Sequence, residues 1–202
     1  WRLYCPRGSL TPGDSWAYPA PRVDERGVYM EQASLISQAH KVADAYEAIE
    51  LYYEKGWTDG LPVVPPTEAR VFEFLAACGK QSNDVVGVVP TRGRAITAEK
   101  IAVNAVMAGC KPAYMPVLIA VIEAMTDPIF NYHGCLASTM GSAVMIVVNG
   151  PIAKELEINS GVNVFGPGFR ANATIGRAIR LIIINVTDGK PGLLDKATLG
   201  HG

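Results

Sequence analysis

Apolar positions recur at helical spacing from Glu31 to Lys55, through Leu35, Ile36, Ala39, Val42, Ala43, Tyr46, Ile49 and Tyr53, and Gly56 supplies the stop. This predicts one long amphipathic helix with His40 inside it as an ordinary surface or packing residue. Pro66 and Thr67 mark a second helix start, with Glu68 in its first turn and Val71, Phe72, Leu75 and Ala76 as its buried stripe before Gly79. The short run Val85 to Val89 reads as a strand. Thr97 is an N-cap for a helix from Ala98 to Ala108, with Glu99 and Asn104 on a solvated face. Tyr114 to Met125 is apolar on nearly all sides and reads as a buried helix. Ala143 to Val148 is rich in β-branched residues and reads as a strand closed by Asn149-Gly150-Pro151. Asn172 to Val186 begins with helical spacing, while its second half, Leu181 to Val186, fits a strand as well; helix is preferred. Strands alternating with helices predict an α/β class, a small, mainly parallel sheet flanked by helices in a single domain over residues 31–202. Residues 1–30 read as an irregular arm broken by Pro6, Pro12, Gly13, Pro19 and Pro21, either the remnant of an expression tag or a native arm that wraps a partner.

Composition narrows the class. The chain has 202 residues, of which 49% are hydrophobic and 18% charged. That charged share is below the usual quarter or so, so a buried core is expected and disorder is not. A net charge of -1 argues against a nucleic-acid partner. No apolar run reaches the roughly 18 residues of a membrane span, and no basic region followed by an apolar core marks a signal peptide. Four cysteines, Cys5, Cys78, Cys110 and Cys135, form no CxxC pair, so free thiols in a cytoplasmic setting are the simplest reading. Gly and Pro, 20 and 14 residues, concentrate in shaped loops, where sites are usually built.

The densest polar cluster runs from Asn159 to Thr174 and leads straight into a helix whose first N–H groups are free. Arg170 and Arg177 can clamp a carboxylate or phosphate, and Asn163 and Asn172 can orient it. The competing reading is a tight loop with Asn172 as N-cap and Arg177 on the surface. His133 has the titration range of a general acid or base, and Cys135 lies two residues on, facing the same side if the segment is extended. Cys110 is a thiol candidate weakened by its place at a helix C-terminus, where the dipole opposes thiolate formation. Asp59, the one charge in the Pro-rich stretch Trp57 to Pro66, is a further acid–base candidate; that stretch either walls a pocket or joins two helices. Three histidines with no ligand spacing give no metal site, and no cofactor can be named.

The stretches Gly56-Trp57-Thr58-Asp59-Gly60-Leu61-Pro62-Val63-Val64-Pro65-Pro66-Thr67, Ala105 to Cys110, Asn149-Gly150-Pro151 and Asn159 to Arg180 resemble a poorly characterised bacterial family. That family is associated, by fusion or as a neighbour, with UGSC-motif (seleno)proteins carrying Sec/Cys-Gly-Ser-Cys. The resemblance covers residues 45–202 and includes Asp59, Cys110, His133, Asn163, Arg170, Asn172 and Arg177, but not Cys135. It implies a two-part enzyme in which another protein chain supplies a redox-active thiol or selenol, and a domain that continues past Leu199-Gly200. The leading expectation is therefore an oligomeric enzyme subunit that binds a small anionic molecule for thiol-assisted redox or lyase chemistry, with catalytic His133, Cys110 and Asp59. A non-catalytic binding or scaffold subunit of a two-component complex is the alternative, and a metal-dependent hydrolase ranks third.

Overall fold

The computed structural model describes residues 2–4, 34–140 and 142–196. The helix Ala98–Ala108 (α3) is its axis, with every residue buried. Its start was legible in the sequence: the Thr97 hydroxyl accepts the Lys100 N–H at 3.3 Å, and Gly109 ends it in a left-handed conformation, φ 86°. Around α3 pack α2 (Glu68–Cys78), α4 (Met115–Thr126) and α7 (Arg170–Asn185). α2 begins at Thr67 and stops at left-handed Gly79, as its pattern predicts. α7 is helical throughout, which resolves the ambiguous second half; Leu181 to Ile184 are buried because α3 and α4 cover two sides of the helix.

The sheet is not the parallel one expected. β3 (Val85–Val89) and β4 (Arg94–Thr97) form an antiparallel hairpin, closed by the turn Pro90–Arg92 and by left-handed Gly93. Four connecting residues cannot make the crossover of a dozen or so residues that a parallel pair needs. β3 lies on α4, so closely that a Cβ at Gly87 would sit 2.5 Å from Thr126 Oγ1. A second antiparallel pair joins β1 (Arg2–Tyr4) to β2 (Ala39–Lys41). The chain is thus a single mixed α and β domain with two short antiparallel ribbons. The predicted arm over residues 1–30 lies, apart from β1, outside the described residues.

Two further elements differ from the pattern. The long helix from Glu31 is replaced by β2 and then by α1 (Ala45–Glu54). Asp44 and Glu47 form a reciprocal cap: the Glu47 N–H donates to Asp44, and the Ala43 N–H donates back to Glu47. That local pair outweighs the apolar period and places His40 in β2, edge-on to Trp57 at 5.4 Å. The predicted strand Ala143–Val148 is extended, but among the described residues it joins no ladder. Among the described residues no single helix is long and apolar enough to cross a membrane.

Candidate functional site

The loop that follows α1 is pinned by an ion pair. Arg177, in the second turn of α7, donates Nε to Asp59 Oδ2 at 2.8 Å and Nη2 to Asp59 Oδ1 at 2.9 Å. The same Nη2 donates to the Pro62 carbonyl at 2.8 Å. Val64 N–H donates to Met107 O at 3.0 Å, so the Pro-rich stretch joins α1 to α2 and is strapped across α3 and α7. Burial raises the Asp59 carboxyl pKa, but hydrogen bonding and charge from Arg177 outweigh it and leave the group below its usual value. Asp59 is therefore an ionised anchor.

Arg170 opens α7 and turns its guanidinium onto the end of α3. Nε and Nη2 donate to Gly109 O at 3.0 and 2.9 Å, and Nη2 also reaches Cys110 O at 3.3 Å. A cation on the last carbonyls of a helix is the favourable arrangement for its dipole. Cys110 is buried beneath it, its thiol donating to Thr174 O at 3.3 Å. Burial pushes that thiol up to about 11, against the opposing pull of the Thr174 contact and Arg170. A group held there is a thiol at neutral pH. Cys110 should therefore resist iodoacetamide at pH 8 in the folded chain and react once unfolded in urea, as peptide mass spectrometry would read; fast native labelling would show an open site.

The asparagines brace the loop between α6 (Pro151–Glu155) and α7. Asn172 accepts Asn159 N–H through Oδ1 and donates Nδ2 to Asn159 O, both at 2.9 Å, closing the base of the loop as a strand neighbour would. Asn163 stands at φ 64° and donates to Pro167 O at 3.1 Å. Its side chain fills the space over Gly166, where a Cβ would lie 1.8 Å from Asn163 Oδ1. Asn172 is inside the first turn of α7, not its N-cap; Phe169 holds that position without a side-chain hydrogen bond.

His133 lies elsewhere. Tyr132–Leu136 is a short helix, α5, not an extended segment, so His133 and Cys135 point to different sides. The Cys135 thiol donates to Phe130 O at 3.5 Å. His133 Nδ1 accepts from Arg92 Nε at 3.4 Å, and Arg92 Nη1 donates to Thr187 O at 2.9 Å, just past the end of α7. Tyr132 Oη meets Thr187 Oγ1 at 2.7 Å in the same cluster, and burial pushes its hydroxyl up to about 12. The 16-residue α7 is about 24 Å long, and that length separates His133 from Arg170 and Cys110. The structure thus brings Asp59 to Arg177 and Arg170 to Cys110, but not His133 to either pair.

Comparison of the chain with protein-family models, curated proteins and solved structures finds no match in any of the three.

Glu99 and Asn104, expected on a solvated face, belong instead to a buried polar cluster. Glu99 is fully buried and accepts Ile36 N–H at 2.7 Å, Ser37 N–H at 2.8 Å and the Ser37 hydroxyl. Lys100 Nζ donates to Ser37 Oγ at 3.0 Å. One turn on, Asn104 Oδ1 accepts from Asn185 Nδ2 at 2.8 Å, and the same amide donates to Trp57 O at 3.0 Å. This strip ties the segment at Ile36, the Trp57 loop and α7 to α3. Sequence cannot distinguish a polar helical face in solvent, expected for Glu99 and Asn104, from one covered by other elements. Among the described residues no group of three or more His, Cys, Asp and Glu could hold a metal ion.

Proposed function

We propose that this chain is the docking subunit of a two-component assembly, with the partner chain carrying the reactive group. The observation that supports this is the loop before α7. It is braced at both ends by Asn172 and Asn163, yet it presents Val162 and Phe165 to solvent, 94% and 88% exposed. A pre-ordered loop with an apolar tip loses little entropy on binding and has the character of an interface anchor. A catalytic role for the chain's own residues draws less support, because Asp59 and Arg177 neutralise each other, the Cys110 thiol is buried and His133 is a helix length away. A partner bearing a thiol or selenol motif accords with the UGSC-associated resemblance.

A second reading, a small carboxylate or phosphate held for thiol-assisted redox or lyase chemistry, is favoured by the uncapped first turn of α7 and by exposed Arg170. The test is purification of the chain with its partner from cells that make both, followed by titration of one into the other. Phe165→Asp with Val162→Asp should weaken the complex by about thirtyfold or more, the loss of about 2 kcal/mol expected of an anchor, with the melting temperature unchanged. Unaltered affinity, or turnover of small anions by the isolated chain that is lost in Arg170→Ala, would favour the second reading.

A further inference from the structure

Asn149-Gly150 is the single Asn-Gly pair in the sequence. Both residues are exposed, at the end of the extended segment 142–149 and just before α6. Neither the Asn149 side chain nor the backbone N–H of either residue has a hydrogen-bond partner among the described residues. Gly150 stands at φ 92°, and a Cβ built there would meet nothing within 4 Å. Asn159-Ser160 is the contrast. Asn159 Oδ1 accepts the Gly161 N–H at 3.0 Å and its Nδ2 donates to Val162 O at 3.0 Å. Asn172 also holds the Asn159 backbone through both its N–H and its carbonyl. That amide is locked in a turn of its own making, whereas the Asn149 amide is free to rotate.

An asparagine followed by glycine has a reaction open to it that needs no enzyme. The Gly150 backbone nitrogen loses its proton to hydroxide and attacks Asn149 Cγ, and the new N–Cγ bond closes a succinimide ring. The Cγ–Nδ2 bond breaks, and the departing nitrogen takes a proton from water and leaves as ammonia. A further water opens the ring at either carbonyl, giving aspartate or isoaspartate with no change in oxidation state. The attacking nitrogen must be unhindered and unbonded, and the side chain must reach the near-attack geometry. Glycine meets the first condition, since no Cβ crowds its nitrogen; the absence of hydrogen bonds at Asn149 meets the second. We propose that Asn149 is a site of spontaneous deamidation in the folded chain. The change matters to the surface around it. Asn149 is the one polar side chain lining a groove of ≈ 440 Å³ between α4 and segment 142–149, whose other residues, such as Val117, Ala120 and Val148, are apolar. Deamidation sets a carboxylate at that apolar lip, and the isoaspartyl form lengthens the main chain by a methylene ahead of α6. The site is separate from the loop at Val162 and Phe165 and does not depend on that loop's role.

The test is incubation of the folded 202-residue chain at pH 8, beside synthetic peptides that span Asn149 and Asn159, read by peptide mass spectrometry. In the chain, Asn149 should become a mixture of aspartate and isoaspartate within a factor of about three of the rate in its free peptide. Asn159 should lag its own peptide by about tenfold or more. Asn149→Gln, whose longer side chain would need a larger ring, should stay an amide over the same time. An Asn149 that persists in the folded chain while its peptide converts overturns the proposal, because the fold then shields it. So does aspartate without isoaspartate, which marks hydrolysis that bypasses the ring. An Asn159 that keeps pace with its peptide overturns the link between hydrogen bonding and protection on which the proposal rests.

Discussion

Glu99→Ala should lower the unfolding free energy by about 3–5 kcal/mol, the usual cost of breaking a buried ionic network from one side. The carboxylate is fully buried at the first turn of α3, where the helix dipole favours negative charge. Its loss removes the acceptor for the Ile36 and Ser37 N–H groups and the negative charge that balances Lys100 through Ser37. Urea unfolding followed by circular dichroism reads the effect. Glu99→Gln, which keeps the shape and one acceptor oxygen, should cost less. Glu99→Leu combined with Lys100→Met should recover little of the loss, because the Ile36 and Ser37 N–H groups stay without an acceptor. A loss for Glu99→Ala below about 1 kcal/mol, the size of one ordinary hydrogen bond, would mean that water reaches the cluster.

Arg177→Ala should cost about 2–4 kcal/mol, since it strands a largely buried carboxylate and removes a donor from the Pro62 carbonyl. It should also change the pH dependence of stability. In the unaltered chain the Arg177 guanidinium holds the Asp59 carboxyl below its ordinary value, so the unfolded state binds its proton first. This contribution is present in full above the unfolded value and is lost as the pH falls through the lower folded value. Without Arg177, burial is the dominant influence left and raises the folded pKa. Protonation then favours the folded state, and the sign of this contribution reverses. Unfolding free energies measured across the carboxylate range, taken as differences from Asp59→Asn in each background, would show the reversal. The same slope in both backgrounds would mean that Arg177 does not set the charge state of Asp59.

These two positions mark how far the sequence could be read. The sequence marks Asp59 and Arg177 both as site residues, but as separate catalytic and anion-binding groups. Their 118-residue separation hides the fact that each is the other's partner. Asn172 and Asn163, candidate ligand donors by residue type, hold the backbone of their own loop. An amide offers the same donors to a ligand or to a carbonyl, and residue type does not say which is nearer. The Asp44–Glu47 spacing is a local signal that marks a helix start inside an apolar period.

By itself the sequence determined those elements whose ends are set by neighbouring residues. α3 begins at Thr97, whose hydroxyl caps it, and α2 and α3 both end at glycines in left-handed conformations, because caps act within one turn of chain. The tertiary structure alone decided the pairing of β1 with β2, the burial of Glu99, Lys100 and Asn104, and the distance of His133 from Cys110. The reason is common to all three. Hydrogen bonds, charge balance and burial are settled by whatever lies within a few ångströms, and for these groups that neighbour comes from a distant part of the chain.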